Sequence, residues 1–117
     1  MSHPDKVIYK ILTDEQWQQF DAAKIFKGAP IDLQDGYIHF STASQVRETA
    51  AKHFSDQKNL KLVSVSTKEM GEELKYEVSR GNALFPHLYS ELKMENVLEV
   101  FSLGIGGDGN HQFPENM

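Results

Sequence analysis

Three side chains near the end of one short apolar segment could do chemistry together. In Tyr37–Ser41, strand alternation places His39 and Ser41 on one polar face and apolar side chains on the other. Thr42 follows at a predicted helix start, where free backbone N–H groups and the helix dipole favour an anion. His39, Ser41 and the amides after Thr42 could therefore bind a phosphate, a ribose hydroxyl or a carboxylate. The alternative is a packed histidine beside an ordinary cap, and the residue types favour neither interpretation.

A second segment, Phe85–Tyr89, repeats this arrangement. If it is extended, Phe85, His87 and Tyr89 share one face. Aromatic faces beside an imidazole suit the stacking of a planar ring. The alternative, that the aromatic residues belong to the core and His87 packs at its rim, is equally consistent with the sequence.

Three charged residues are further candidates for a site. Glu77 lies on a predicted strand, where it could orient a ribose hydroxyl or stabilise an oxocarbenium ion, although a solvated outer face is commoner for a strand glutamate. Arg80, in a glycine-containing turn, could clamp a phosphate, or it could be an ordinary surface arginine. Lys10 would join them if the first strand has one solvated face.

Composition excludes several kinds of chemistry. The chain has no cysteine, so disulfides, thiol nucleophiles and thiolate metal sites are excluded. A formal net charge of −5 makes nucleic acid an unfavourable partner. The histidines have no short ligand spacing, so no metal site is predicted. The first residues lack a secretory signal and the longest apolar run is far too short to span a membrane, so we expect a cytoplasmic protein.

The pattern along the chain predicts one α+β domain over residues 1–117, with a globular core over about 6–103 and a flexible tail over 104–117. Two N-terminal helices are expected to pack on small antiparallel or mixed sheets. The predicted helices, each opened by a threonine capping box, are Asp14–Ala23 and Ser44–Phe54. The predicted strands are Val7–Leu12, Tyr37–Ser41, Leu60–Ser66, Leu74–Val78 and Val97–Leu103. Lys24–Gly36 reads as a long connection, and Pro86 suggests that Leu84–Leu92 is an edge strand or irregular.

Three strings carry a resemblance to a known family. Ile8-Tyr9-Lys10-Ile11-Leu12, Asp35-Gly36-Tyr37-Ile38-His39-Phe40-Ser41-Thr42 and Phe85-Pro86-His87-Leu88-Tyr89 together resemble the uncharacterised family called domain of unknown function 952. The likeness extends over nearly the whole chain up to about Leu103. The fold of that family is similar to ADP-ribosyltransferases, which bind NAD in a cleft between two small sheets.

The resemblance implies roles for particular residues. Lys10 stands where the superfamily has an arginine or histidine on its opening strand, and Phe40-Ser41-Thr42 partly matches its second motif. Glu77 is the candidate for the catalytic glutamate. The implied function is an ADP-ribosyltransferase-like domain that binds NAD or a related nucleotide in a cleft near His39, Ser41 and Thr42. The alternatives are a non-catalytic module that binds a small metabolite, and a protein-binding module with His87 and Tyr89 in an exposed aromatic patch.

Overall fold

The first strand and the first helix form where local sequence predicts them. In this computed structural model, which describes residues 5–115 without the side chain of Arg80, strand β1 is Val7–Thr13 and helix α1 is Asp14–Ala23. The N–H of Gln16 donates to Oγ1 of Thr13 over 3.1 Å, and the N–H of Thr13 donates to Oε1 of Gln16 over 3.0 Å. This is the predicted capping box, and it fixes the start of α1.

The main sheet has three antiparallel strands. Strand β4 (Leu60–Ser66) lies between β1 and β8 (Val97–Leu103), and the bounds of β4 and β8 agree with the prediction. Side chains from one face of β1 pack in a core that includes Phe20 of α1, and those from the other face pack against helix α3, Val46–His53. Because both faces of β1 are covered, Lys10 is buried and does not lie on a solvated face.

A second antiparallel sheet contains β3 (Ile38–His39), β6 (Leu84–Leu88) and β5 (Leu74–Val78), in that order. The prediction that the Pro86 segment is an edge strand is wrong, since β6 is the central strand. The carbonyl of Pro86 accepts the N–H of Phe40, just beyond the end of β3. The backbone nitrogen of Pro86 points to the same side, towards β3, and has no hydrogen to donate. Proline is tolerated at this position because β3 ends before its pairing with β6 would need a donor there.

The segment Lys24–Gly36 is not one long connection. Strand β2 (Ile25–Phe26) pairs with β7 (Leu92–Lys93), and helix α2 covers Pro30–Asp35. These elements are too short to show a period in the sequence. The proline and glycine that read as loop signals are instead the first residue of α2 and its left-handed cap. The described residues therefore hold three α-helices, where two were predicted.

Helix α3 begins two residues later than predicted. The Gln45 side chain accepts the N–H of Thr42, as in a capping box, but the hydroxyl of Thr42 lies 3.1 Å from Oγ of Ser44. The carbonyl of Thr42 accepts the N–H groups of Gln45 and Val46, which makes a turn before the helix. The N-cap is Gln45, so the predicted cap at Thr42 is wrong.

The chain after β8 folds back beside α3. Ile105 pairs with His111 in an isolated bridge, and the Arg47 guanidinium lies 5.3 Å from the centre of the Phe113 ring. The flexibility expected for residues 104–117 stays a prediction. Within residues 5–115, no helix has the length and apolar character needed to span a bilayer.

Candidate functional site

A cleft lies where the two larger sheets meet. The backbones of Tyr9 and Ser41 exchange two hydrogen bonds of 2.8 Å, which join β1 to the chain just after β3. Beside this junction is a cleft of about 510 Å³, within the range of small-ligand sites. The polar and aromatic residues that matter most in its wall are Lys10, Asp35, His39, Ser41, Phe85 and His87.

The two histidine-containing segments come together in this cleft. His39 and His87 are direct partners in the β3–β6 ladder, and their ring centroids are 5.4 Å apart. The Tyr37 ring stacks on His87 with a centroid distance of 4.1 Å and lies 4.7 Å from His39. The sequence predicted both motifs, and the antiparallel register places them side by side.

Asp32 organises the inner end of the site. This carboxylate, only 2% exposed, bonds Nζ of Lys10 at 2.9 and 3.1 Å and the Nδ1 of His39 at 2.6 Å. It also accepts the backbone N–H groups of Ala29 and His39. No local sequence signal singled out Asp32 as the partner of both Lys10 and His39.

The ionisation of this cluster follows from its contacts. Burial favours a raised pKa for Asp32, but the hydrogen bonds from His39 and the charge and hydrogen bond of Lys10 outweigh it and lower the pKa to about 2. Burial lowers the pKa of Lys10, and Asp32 opposes that change only in part. An ionised Asp32 can only accept hydrogen bonds, so Nδ1 of His39 carries a proton. The other ring nitrogen, Nε2, lies 3.0 Å from Oδ2 of Asp35.

Gly28 allows Asp32 to reach this position. A Cβ atom at residue 28 would lie 2.8 Å from Cβ of Asp32, and the backbone φ of +135° is strained for any other residue. The glycine therefore permits the close approach of the loop to helix α2, and thereby the placement of the carboxylate.

Glu77 holds the second histidine. Its Oε1 accepts from Nδ1 of His87 over 2.8 Å and from the phenol of Tyr89 over 2.7 Å. The hydrogen bonds from Tyr89 and His87 lower the pKa of Glu77, while the same contact raises the pKa of Tyr89 to about 12. Neither Glu77 nor Tyr89 lines the cleft itself. Glu77 bonds Nδ1 of His87, whose side chain does line the cleft, and Tyr89 bonds Glu77.

The Nε2 atom of His87 is enclosed and has no hydrogen-bond partner among the described residues. His87 is 3% exposed and forms part of the cleft wall. A buried polar atom without a partner costs about 1–3 kcal/mol, so native proteins rarely retain one without a reason.

The remaining candidate residues do not all lie in the cleft. Ser41 lines the cleft, and its hydroxyl lies 2.9 Å from that of Thr49. Thr42 does not line it. The side chain of Arg80 lies outside the described part of the structure. His53, the last residue of helix α3, is exposed and also lines the cleft. Within residues 5–115, no cluster of three potential metal ligands occurs.

Comparison with known proteins identifies the family. The family model described as "Protein of unknown function (DUF952)" matches residues 11–100. The chain belongs to the DUF952 family. A similar protein is CC0527 of Caulobacter crescentus, whose crystal structure has a TM-score of 0.86 at 45% identity, with 91% of this chain and 93% of that chain covered. Its solution NMR structure has a TM-score of 0.83 at 44% identity, with 92% and 93% covered. No functionally curated protein matches the chain.

Proposed function

We propose that this DUF952 chain binds NAD or a related nucleotide in the cleft between its two larger sheets, in an arrangement like that of ADP-ribosyltransferases. The observation that carries the proposal is the unpaired, enclosed Nε2 of His87 beside His39 in the cleft wall. A bound ligand that supplies the missing hydrogen bond would remove the cost of burying that atom.

The charges of the cleft favour one end of such a nucleotide. Lys10 is paired with Asp32, and Asp35 adds a further carboxylate beside His39. The wall is therefore closer to neutral or acidic than to basic, which suits a cationic nicotinamide ring and its ribose better than a pyrophosphate. In this proposal the pyrophosphate extends past Ser41 in the cleft wall and out of the cleft, where Thr42 and Arg80 are the further predicted contacts.

The positions of Phe85 and Tyr89 decide which of them can stack on the nicotinamide ring. Phe85 lines the cleft, whereas Tyr89 is held by Glu77 outside it. We therefore assign stacking of the nicotinamide ring to Phe85. Glu77 orients His87 in this arrangement, and direct contact with a developing ribosyl cation is the additional role that the family resemblance implies.

A titration of isotope-labelled protein with NAD, ADP-ribose and nicotinamide tests the proposal. We expect saturable amide shifts clustered in residues 37–42 and 85–89, which disappear in His39→Ala. His111→Ala is the matched control, since His111 lies outside the cleft and bonds the carbonyl of Gln57. An absence of shifts at millimolar ligand would overturn the proposal.

The pairing of Lys10 with Asp32 favours a second candidate, a non-catalytic module that binds a small metabolite. A lysine already bound to a carboxylate cannot supply the bidentate grip that an arginine gives to a phosphate. Incubation of the purified protein with NAD separates the candidates. Release of nicotinamide excludes the non-catalytic module, and binding without release favours it.

A further inference from the structure

The proton positions on His87 follow from its partner. Hydrogen bonds from Tyr89 and His87 keep Glu77 ionised, so its carboxylate can only accept. The proton in the 2.8 Å contact therefore belongs to Nδ1 of His87. A second proton on the ring would leave a charged, buried N–H at Nε2 without an acceptor, which costs more than an unpaired neutral nitrogen. The enclosed Nε2 is then an unprotonated lone pair, which is a hydrogen-bond acceptor.

The neighbours of His87 leave this lone pair unused. Tyr37 covers the ring by stacking, and ring stacking supplies no donor to Nε2. His39 meets the ring edge-on, but its Nδ1 proton is directed to Asp32 and its Nε2 lies against Asp35. No described residue bonds the Nε2 of His87.

We infer that His87 accepts a hydrogen bond from a ribose hydroxyl of the ligand, so that the site selects nucleosides with free ribose hydroxyls. The inference rests on the proposed nucleotide cleft and names the part of the ligand that the inner wall recognises. An unprotonated Nε2 repels phosphate and carboxylate oxygens and requires a donor. A ribose hydroxyl is such a donor, and the ribose ring brings no anionic oxygen to this atom.

The covering of Nε2 sets a condition on binding. Because His87 lines the cleft but Nε2 itself is enclosed, a neighbouring side chain has to move before a hydroxyl can reach the atom. Changes of side-chain rotamer on ligand binding are common even where the backbone stays fixed. Tyr37 and Phe85, which adjoin the ring and the cleft, are the candidates for this movement.

The test compares nicotinamide riboside with its 2′,3′-dideoxy analogue. We expect the dideoxy compound to bind at least about tenfold more weakly, because it leaves Nε2 unpaired in the complex. Nitrogen-15 spectra of the imidazole should show an unprotonated Nε2 in the free protein, and the riboside alone should shift that resonance. Equal affinities for the two compounds, or a proton on Nε2 in the free protein, would overturn the inference.

Two variants distinguish a failure of this inference from a failure of the proposed nucleotide binding. His87→Phe removes the acceptor, so the affinities of riboside and dideoxy analogue should become equal. If that variant does not fold, Glu77→Gln replaces it, because an amide N–H can donate to Nδ1 and move the ring proton to Nε2. The preference for the riboside should then shrink. If NAD shifts the amide resonances of residues 37–42 but the riboside and its dideoxy analogue bind equally, only the inference about the ribose hydroxyl fails. If NAD does not bind, both this inference and the proposed nucleotide cleft are wrong.

Discussion

Nζ of Lys10 lies 2.9 Å from Oδ2 of Asp32, with the two side chains only 8% and 0% exposed. The pair joins strand β1 to helix α2, and the same carboxylate holds the ring and the backbone N–H of His39. One buried ion pair thus connects the main sheet to the histidine side of the cleft. Burying both charges is costly unless the pairing is complete, and removing one partner leaves the other without compensation.

Replacement of Lys10 tests this dependence. Lys10→Met should lower the free energy of unfolding by about 3–5 kcal/mol, because it leaves the Asp32 carboxylate buried without its main counter-charge. The double variant Lys10→Met with Asp32→Asn should lose less than the single variant, since no uncompensated charge remains. Urea denaturation measures both values.

Lys52→Met is the control for the loss of a lysine. Lys52 is 54% exposed on its side chain and 3.5 Å from Glu48, so its removal should cost no more than about 0.5 kcal/mol. If the losses from Lys10→Met and Asp32→Asn simply add in the double variant, the two side chains do not act as a pair.

The ionisation of Asp32 also predicts how stability depends on pH. Its pKa falls from 3.8 to about 2 on folding, so its contribution is complete above about pH 4 and is lost as pH falls towards 2. The loss should be about 2–3 kcal/mol. Denaturation of the wild type and of Asp32→Asn across this range isolates the effect, because the other carboxyls titrate in both proteins. A constant difference between the two curves would refute the assignment.

The local sequence pattern was sufficient to predict the bounds of most of the longer helices and strands. Helix α1 and strands β4, β5 and β8 have the bounds that the sequence predicts, because their periodicity or capping lies within one segment. The α+β class and the antiparallel pairing follow from the same elements. The six-residue α2 and the two-residue β2 carry no such signal, so Lys24–Gly36 was interpreted as a connection. Strand β7 begins at the end of a segment that was predicted as an edge strand or irregular.

The arrangement of the site was only half predictable. His39 and His87 each stand out by their strand neighbours, but the register that pairs them is a tertiary property. Asp32 gave no local signal, since a fully buried carboxylate is rare and its lysine partner lies 22 residues away. Because the pairing of Lys10 with Asp32 is a tertiary contact, the sequence alone indicated that Lys10 could join the site only on a solvated face of the first strand.

Substitution of Gly28 should disturb the site from outside it. Gly28→Ala places a Cβ atom 2.8 Å from that of Asp32 at a φ of +135°, so either the loop or helix α2 has to shift. We expect a loss of about 1–3 kcal/mol, measured by thermal or urea unfolding. Gly104→Ala is the matched control, because its Cβ would meet nothing within 4 Å. Equal stability of the two variants would show that the approach of Gly28 to Asp32 is not required.

Removal of the Glu77 charge should change the titration of Tyr89. The contact with Glu77 raises the pKa of Tyr89 to about 12, so in Glu77→Gln that pKa should fall towards the ordinary value of about 10. Carbon-13 spectra of labelled tyrosine rings follow the ionisation directly. Tyr76, whose phenol bonds Asp5, should be unaffected and serves as the internal control. An unchanged Tyr89 would mean that the 2.7 Å hydrogen bond is absent in solution.

The same variant decides whether Glu77 acts beyond holding His87. If Glu77 stabilises a ribosyl cation as nicotinamide leaves, Glu77→Gln should lower the rate of nicotinamide release from NAD by at least about a hundredfold, while NAD affinity falls by no more than the roughly tenfold expected from the altered His87 contact. Such a selective loss is expected because the charge matters only when the cation develops. Glu95→Gln, an exposed substitution in the turn between β7 and β8, should leave release unchanged. Equal rates of release in the Glu77 variant and the wild type would remove Glu77 from the chemistry and leave it a positioning residue for His87.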